Sequence, residues 1–546
     1  MGTRAGQRKT ATPAPDYEVV VIGAGVGGIA AGCQLRRAGV DDFVIIDRRA
    51  DFSGTWIANT YPGVALDVPS TSYEFTFAPN QWSRVFAPGD EVREYLQRIA
   101  GEYGLYDRAR FGVSVDREVW DDEKGFWTVH LVGDDTITAR YVLSATGFFL
   151  DPRDNSGIPD VEKYQGKVMH SAGWDHSYDY RGKRVAVIGT GASSMQIVPS
   201  IASDVAEIDV YQRTATWCFP KPDFTFGRIG RGLMRSRRFH SLAYMTNWYL
   251  FQLVVVAAEH LPTRAAIRLL TGAESVLRAA YRLYLRFQVT DVQARKALVP
   301  RHGVMANMPT FGRGFLQTFS RHNGSLLTTP IERFTDTGIR TVDGTERSYD
   351  MIVLATGFNV ASDPESFPVG SVTGRDGFDL GEFYRDNGMQ AYAGVTTPKM
   401  PNRWFLYGPY GWNGVTWVSM MEMSALHIAR VIAAARARGA DVAEVTQDAH
   451  DDWHRAMVTS PFTLAAREYL VEHQLKRHNV RSYFFNKRGE TPILRPSQGF
   501  RDSLWNHSER FDPENDYTFR AVDKPVARRT TKKAALPEPV PVTAAE

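Results

Sequence analysis

Two glycine-rich segments in this sequence have the residue types and spacing that bind the pyrophosphate of a dinucleotide. The first, GAGVGG, follows an apolar run and precedes a helical pattern and a second apolar run that ends in an acid. In such a segment the first glycine permits a tight turn, the second lets a phosphate approach the backbone, and the third lets helix and strand pack closely. The terminal acid accepts hydrogen bonds from ribose hydroxyls. The pattern predicts a dinucleotide site on Gly23, Gly25, Gly28 and Asp47.

The second segment, GTGASS at 189–194, repeats this plan with Ser194 in place of the third glycine. The apolar run after its helix ends without an acid, and Arg213 and Thr214 stand there instead. A guanidinium at this place matches the 2′-phosphate of NADP(H), whereas NAD(H) prefers an acid. We therefore expect NADP(H) here, with a surface arginine at a strand end as the alternative interpretation.

Two strand patterns end in the same tripeptide, ATG, at 145–147 and again at 355–357. Glycine at such a strand end lets the chain turn away close to a bound nucleotide. Either segment alone could be an ordinary strand end, but one copy for each glycine loop indicates two related domains. We predict an α/β protein with two dinucleotide-binding, Rossmann-like domains.

Changes in composition mark the boundaries of these domains. We predict a disordered tail at 1–15, a first domain at 16–155, a second domain at 156–345 with a helical insertion near 225–300, a return to the first domain at 346–520, and a disordered tail at 521–546. In the insertion, apolar residues recur at helical spacing with arginines on the other face. We expect it to cover a pocket; contact with a membrane surface or entry of a lipophilic substrate is the alternative.

Size and charge narrow the class of protein. The 546 residues carry 64 Lys+Arg and 61 Asp+Glu, and the formal charge of +3 is too small to favour nucleic acid or an anionic membrane as a partner. Only Cys33 and Cys218 are present, so we expect no disulfide scaffold and no thiolate metal site. The N-terminus lacks an apolar signal segment, and the longest apolar run, 249–258, is about half a bilayer span. We expect a soluble, cytoplasmic protein without a transmembrane segment.

A third segment, YQGKVMHSAGWD at 164–175, lies between the two glycine loops, and neither the strand period nor the helix period explains it. With Tyr164 in place of phenylalanine, it resembles the short motif of the Baeyer–Villiger monooxygenases, whose other positions are Gly166, His170 and Trp174. FSGTWIANTYPGVALD at 52–67 resembles the longer motif of that family, except that Ser53 stands where glycine or alanine is usual. The resemblance extends from residue 16 to residue 520. We expect segment 164–175 to be a linker that hinges one nucleotide domain onto the other.

The resemblance implies FAD in the first domain and NADPH in the second. In such enzymes NADPH reduces the flavin, O₂ adds to it, and the C4a-peroxyflavin or hydroperoxyflavin transfers one oxygen atom to the substrate. Matching motifs place further FAD contacts on Thr55, Trp56, Asp67 and Tyr73, with Asp67 also as a catalytic residue. They place the NADPH contacts on Gly189, Thr190, Gly191, Ala192, Ser193, Ser194, Gln196, Arg213 and Thr214.

One departure from the family concerns charge at the active site. Where relatives carry Cys-Lys-Arg-Pro, this sequence reads Ala-Asn-Met-Pro, so Asn307 replaces the lysine and Met308 replaces the arginine. The family arginine stabilises the peroxide anion, which methionine cannot do. Asp67, which lies beside that arginine in the family, would have a raised pKa or find another cation, such as Arg313 or Arg301. A protonated peroxide suits oxygenation at sulfur or nitrogen, whereas attack on a ketone needs the anion.

Three functions remain open. The first is an FAD- and NADPH-dependent monooxygenase of the Baeyer–Villiger type, acting on a ketone or on a sulfur or nitrogen atom. The second is an uncoupled flavin-dependent NADPH oxidase or reductase, and the third is a non-catalytic nucleotide-binding scaffold. Trp412, Trp417 and 420–423 suggest a roomy, apolar pocket for a large lipophilic molecule as the substrate, although such residues lie more often in cores than in pockets. Segment 481–496 resembles the family loop that folds over the nicotinamide.

Overall fold

A computed structural model of the chain describes residues 14–153, 157–304, 306–411, 417–478, 482–496 and 513–522. Two separate sheets dominate the fold, and each has helices packed against it. A large hydrophobic core lies around the first sheet and a second one around the second sheet. This architecture confirms the predicted α/β class with two Rossmann-like units.

The first sheet is built around the strand that leads into the first glycine loop. That strand, Tyr17–Ile22, has parallel partners on both sides, and it is buried from Val19 onward. A continuous apolar run is what a parallel strand covered on both faces requires. The strand order is Val372–Thr373, Val115–Asp121, Phe126–Leu131, Thr136–Ser144, Tyr17–Ile22, Phe43–Asp47 and Ala109–Phe111, with Arg403–Phe405 paired to the second half of Thr136–Ser144.

The second sheet has five strands, all parallel, and repeats this arrangement around the second glycine loop. Their order is Gly324–Leu327, Glu207–Tyr211, Arg184–Ile188, Met351–Leu354 and Lys167–His170. The predicted boundary between 345 and 346 falls before a strand of this sheet, because Met351–Leu354 is paired with Arg184–Ile188 and fully buried. The return to the first domain therefore begins after Leu354.

Segment 164–175 is not the free linker that its lack of periodicity suggested. Lys167–His170 is the edge strand of the second sheet, paired in parallel with Met351–Leu354. A strand of four residues is too short to display a period, and an edge tolerates charged side chains. The crossings between the sheets are instead Phe149–Pro152 and Phe358–Val360, which follow the two ATG segments and pair with each other as an antiparallel ribbon.

Helices cover both sheets and fill the region predicted as an insertion. In the first domain they are Val26–Arg37, Thr55–Ala58, Gly89–Glu102, Leu380–Asn387, Trp417–Ala437, Gln447–Thr459 and Pro461–Arg467, the last continuing as the π-helix Glu468–Leu475. In the second domain they are Ala192–Ile201, Arg228–Leu233, Arg237–His260, Thr263–Gln288, Val292–Ala297 and Phe315–Thr318. Short strands complete the fold: Cys218–Pro220 with Thr310–Gly312, Ile331–Phe334 with Gly338–Thr341 and Glu346–Ser348, and Val442–Val445 with Tyr517–Arg520.

One helix among the described residues, Trp417–Ala437, is long and apolar enough to cross a membrane. Most of it is buried inside the protein, where it packs against Val26–Arg37, as a core helix does. The three methionines at 420–423 are buried and belong to the core. The predicted tails lie almost entirely outside the described residues, and so do Trp412 and Arg481.

Candidate active site

The first glycine loop adopts the conformation that its sequence predicts. Gly23 has φ 112°, and a Cβ there would lie 2.3 Å from the carbonyl oxygen of Ala145 in the adjacent ATG segment. A Cβ on Gly28 would lie 1.9 Å from the carbonyl oxygen of Gly23, so only glycine lets the helix pack this close to the strand. Within the described chain, no side chain caps the start of helix Val26–Arg37. Its first N–H groups can therefore receive a pyrophosphate.

Gly25 and Gly54 lie next to each other beside the start of this helix. A Cβ on Gly54 would lie 2.8 Å from the Cα of Gly25, so the two backbones are in direct contact and leave no room for a side chain at Gly54. Ser53, the departure from the family motif, has φ 101°, which explains why glycine is usual there. Its hydroxyl is buried and has no hydrogen-bond partner within the described chain. A backbone without side chains beside a helix start is suited to a diphosphate, and here it is accompanied by strain at Ser53.

Asp47 lies at the end of strand Phe43–Asp47, as predicted. One carboxylate oxygen accepts a 2.6 Å hydrogen bond from the backbone N–H of Ala24, and the other accepts a 2.8 Å bond from that of Arg49. These bonds tie the acid to the glycine loop and fix its orientation. A carboxylate offers about four lone-pair positions, so two accepted bonds leave capacity for ribose hydroxyls.

The second glycine loop repeats the first in its main features. Gly189 has φ 113°, and a Cβ there would lie 2.4 Å from the carbonyl oxygen of Ala355 in the second ATG segment. The Thr190 hydroxyl donates a 3.0 Å hydrogen bond to the carbonyl of Thr214, which joins the loop to the end of the next strand. Arg213 and Thr214 are exposed there, where a nucleotide phosphate can reach them. Ser194, at the third glycine position, is fully buried in the first turn of helix Ala192–Ile201.

Gln196 has a contact that the motif does not predict. Its side-chain amide donates to the carbonyl of Ala65 at 3.0 Å, and its Oε1 accepts a 3.1 Å bond from the Tyr61 hydroxyl. Nearby, a Cβ on Gly63 would lie 2.0 Å from the Ser200 hydroxyl. The long motif of the first domain is thus packed directly on the nucleotide helix of the second domain. Gln196 joins the two domains, and this contact was missed because the partners are far apart in sequence.

Two of the predicted FAD residues, Thr55 and Trp56, lie on the short helix Thr55–Ala58, and Tyr73 directly follows the 3-10 turn Ser70–Ser72. The indole N–H of Trp56 donates a 3.0 Å hydrogen bond to the hydroxyl of Tyr73, and the two rings meet edge to face. Both side chains are buried, whereas Thr55 is exposed at the start of its helix. Burial raises the pKa of Tyr73 to about 12, helped by the charge of Asp67 and opposed by the Trp56 bond. Tyr73 therefore stays protonated and can donate a hydrogen bond.

Asp67 is surrounded by many protein atoms, yet its side chain remains exposed to solvent. Burial raises its pKa, and its own backbone N–H and the charge of Lys221 oppose that shift. Lys221 donates a 2.7 Å hydrogen bond to the carbonyl of Leu66, and its ammonium lies 4.9 Å from the centre of the Phe86 ring. Burial lowers the pKa of Lys221, while Asp223 and Asp67 raise it.

The cation that acts on Asp67 is Lys221, which the sequence did not indicate. The two candidates from the sequence, Arg301 and Arg313, are both exposed, and Lys221 is the cation whose charge acts on the acid. Met308 is partly buried against the core of the first domain. Lys221 immediately follows strand Cys218–Pro220, which pairs with the strand after Met308. No local motif marks this lysine, since its position depends on that long-range pairing.

An aromatic cluster borders the site, formed by Phe148, Phe149, Tyr407, Trp417 and Tyr483. The ring of Trp417 lies 4.6 Å from that of Tyr407 and 5.1 Å from that of Phe148, centre to centre. Tyr483 lies 5.6 Å from Phe148, and burial followed by the charge of Asp67 raises its pKa. Residues 482–496 therefore reach the neighbourhood of Asp67. Of the apolar residues singled out from the sequence, Trp417 lies at this site.

The residues of the short family motif shape the edge strand of the second sheet. The Tyr164 hydroxyl donates a 2.9 Å bond to the carbonyl of Tyr349, and a Cβ on Gly166 would lie 2.2 Å from that hydroxyl. Trp174 is buried against the second core. The His170 ring accepts the N–H of Ala172 at Nδ1 and meets the ring of Phe358 edge to face at 5.6 Å. His170 thus touches the crossing ribbon, whose Phe149 belongs to the aromatic cluster.

Comparison with known proteins is consistent with these features. Residues 20–227 match the family model described as pyridine nucleotide-disulphide oxidoreductase. A Baeyer–Villiger monooxygenase of Pseudomonas aeruginosa is 36% identical over 427 residues, 78% of each chain, and one of Streptomyces coelicolor is 35% identical over 75% of this chain and 77% of its own.

Solved structures have the same fold. A polycyclic ketone monooxygenase from Thermothelomyces thermophila superposes with a TM-score of 0.80 at 24% identity, over 94% of this chain and 91% of its own. An oxidized steroid monooxygenase bound to NADP superposes with a TM-score of 0.75 at 25% identity, over 92% of this chain and 99% of its own. The chain belongs to the Baeyer–Villiger monooxygenases, a family of FAD- and NADPH-dependent flavoproteins.

Proposed function

We propose that this enzyme inserts one oxygen atom from O₂ into a lipophilic ketone. Lys221 would supply the positive charge that an arginine supplies in other members of the family and that Met308 does not. The observation that carries this proposal is Lys221, which is bonded to the carbonyl of Leu66 and whose charge acts on the next residue, Asp67. FAD, when bound and reduced by NADPH, would activate O₂ and supply the oxygen atom. The protein binds and orients the cofactors, excludes water and sets the charge of the pocket.

FAD would be held by the first domain. Its diphosphate would lie on the N–H groups after Gly25, next to Gly54, and its ribose would bind Asp47. Thr55, Trp56, Asp67 and Tyr73 would lie along the flavin. The absence of side chains at Gly25 and Gly54 supports this placement, as does the fixed orientation of the Asp47 carboxylate.

NADPH would be held by the second domain. The loop from Gly189 to Ser194 would bind its pyrophosphate, and Arg213 with Thr214 would bind the 2′-phosphate. The exposure of Arg213 at the strand end supports this role. Besides contacting the nucleotide, Gln196 would hold the two cofactor domains in a fixed relative position through its hydrogen bonds with Tyr61 and Ala65.

Lys221 would stabilise negative charge that develops in the flavin pocket. A cation at short range favours an anionic oxygen, and nucleophilic attack on a ketone needs that charge. Met308 and Asn307 supply no charge, so a pocket without Lys221 would favour oxygenation at sulfur or nitrogen instead. Because Lys221 is present and interacts electrostatically with Asp67, the site supports ketone oxidation best.

The aromatic cluster suits a lipophilic substrate. Trp417, Tyr407 and Phe148 offer apolar ring faces next to the residues 482–496, and one structural neighbour is a steroid monooxygenase. We place the enzyme in the cytoplasm, where thiols stay reduced; Cys33 and Cys218 are both buried and unpaired.

The test is a panel of ketones, sulfides and amines supplied with the FAD-loaded enzyme and NADPH, scored by product mass. We expect lactone or ester formation from lipophilic ketones. The ratio of H₂O₂ formed to NADPH consumed, measured in the same reactions, separates oxygenation from uncoupled oxidase activity. A ratio near one with every substrate, or sulfoxides and N-oxides as the only products, would contradict the proposal.

A further inference from the structure

The helix Thr263–Gln288 presents an apolar and basic face to solvent, opposite the face that packs against protein. Its buried positions are Ala266, Ile267, Glu274, Tyr281 and Leu285. Leu269, Val276 and Leu283 are spaced by seven residues and are 65%, 72% and 53% exposed, and Phe287, one turn after Leu283, is 77% exposed. Residues seven apart are two turns apart on the same side of a helix. They form a continuous apolar stripe, named here the insert stripe.

Arginines border the insert stripe without acidic partners on the same face. Arg268, Arg282 and Arg286 are exposed, and each immediately precedes a residue of the stripe. The one acid of this helix, Glu274, is buried and accepts a hydrogen bond from the backbone N–H of Val304 at 3.1 Å. From residue 228 to residue 288 the sequence holds ten arginines against two glutamates. The overall charge of +3 conceals this local excess.

The short helix Arg228–Leu233, in the same insertion, also exposes apolar and basic side chains. Ile229 is 83% exposed, and Leu233 is also exposed, beside Arg228 and Arg231. Apolar side chains with flanking arginines are the composition of helices that lie in the interface of a membrane, where the rings and aliphatic chains enter the acyl boundary and the guanidinium groups reach phosphates. Soluble proteins seldom expose a contiguous apolar stripe without a partner.

We propose that the insert stripe and its arginines bind the surface of a membrane that contains anionic lipids. A second copy of this chain is a poorer occupant, because it would place these arginines against each other with no acid on the face to compensate. Nucleic acid would pair with the arginines but would leave Leu269, Val276 and Leu283 in water. Only an anionic lipid surface satisfies both parts of the face. This binding is independent of the oxygenation chemistry.

The proposal is tested by sedimentation of the full-length, FAD-loaded protein with vesicles. Vesicles of phosphatidylcholine alone are compared with vesicles that also contain phosphatidylglycerol. We expect binding to the anionic vesicles, weakened by salt, and little binding to the neutral ones. Arg268→Gln, Arg282→Gln and Arg286→Gln combined should lower the affinity about fivefold for each arginine removed. Leu283→Ser with Phe287→Ser should weaken binding as well, because the apolar anchors are lost.

The control is Val132→Ser, which changes a side chain that is 69% exposed on a turn of the first domain. It should bind vesicles like the unchanged protein, and all variants should keep the same melting temperature because the altered groups are exposed. Absence of binding to anionic vesicles would overturn the proposal, and so would equal binding by the arginine variant. A change of oligomeric state in the Leu283→Ser, Phe287→Ser protein would assign the stripe to a second copy instead.

Discussion

Lys221 donates its hydrogen bond to the carbonyl of Leu66, and its charge acts on Asp67, the next residue of the chain. The two side chains come from different domains: Asp67 ends the long motif of the first, and Lys221 follows strand Cys218–Pro220, which packs with the second. The backbone around Lys221 is held by the first domain, since the N–H of Val85 donates to the carbonyl of Phe224. The positive charge that acts on Asp67 therefore depends on the relative position of the two domains.

Replacement of Arg213 tests the nucleotide assignment. Arg213→Ala should raise the KM for NADPH about tenfold to a hundredfold, because a charge-assisted bond to the 2′-phosphate is lost. The KM for NADH, which has no such phosphate, should change little. Arg181→Ala, another exposed arginine of the second domain, is the matched control. Equal effects on both nucleotides would remove Arg213 from the phosphate site.

Ser53→Gly tests the strain in the first domain. Glycine adopts φ 101° without a steric penalty, and the change also removes a buried hydroxyl that has no partner in the described chain. We expect a gain of about 1 kcal/mol in the free energy of unfolding, since strain of 1–3 kcal/mol is relieved while glycine costs roughly 0.5–1 kcal/mol in chain entropy. Chemical denaturation with both proteins stripped of FAD measures it. Ser203→Gly, on an exposed turn, should show no gain.

A buried histidine makes the anchoring of the insertion dependent on pH. His240 Nδ1 lies 2.6 Å from a Glu74 carboxylate oxygen, and Nε2 lies 2.9 Å from the carbonyl of Met234. Both neighbours are acceptors, so both ring nitrogens must carry a proton. Burial lowers the pKa of His240, but the hydrogen bond and charge of Glu74 and the Met234 carbonyl outweigh it, and the net pKa is raised.

Because the pKa of His240 is raised in the folded protein, the stability of the fold should decrease as pH rises. The stabilisation is fully present below the ordinary histidine pKa of about 6.5 and is lost as pH rises through the higher value of the folded protein. It amounts to about 1.4 kcal/mol for each unit by which the pKa is raised. Melting temperatures between about pH 6 and 9 should fall more steeply for the unchanged protein than for His240→Gln. Parallel curves would show that this pair does not titrate with folding.

The nucleotide loops were predictable because their signals are local. Gly23 and Gly189 each need the left-handed region, and each faces an alanine carbonyl of an ATG segment at nearly the same distance. A steric requirement of that kind is visible in the residue types themselves. The apolar strands beside them are equally legible, since a parallel strand covered on both faces must be apolar along its length.

The features that the sequence did not predict depend on pairing between strands that are far apart in the chain. Lys167–His170 is a strand only because Met351–Leu354 lies beside it, and four residues carry too little pattern to reveal that. Lys221 is placed at Asp67 by the pairing of Cys218–Pro220 with Thr310–Gly312. The arginine face of the insertion was predicted from the sequence, but the exposure of Leu269, Val276 and Leu283 was not, because it depends on which side of the helix packs against the protein.

The most direct measurement is the rate of ketone oxygenation in FAD-loaded Lys221→Met and in Lys221→Met combined with Met308→Arg. We predict that the first variant forms product about a hundredfold more slowly and releases more H₂O₂ for each NADPH, because the stabilising cation is lost. The second variant should recover much of the rate, since arginine returns to its family position. Lys124→Met, a surface lysine, is the control. Oxidation of the ketone by Lys221→Met at the unchanged rate, with FAD bound, would contradict the assignment of Lys221.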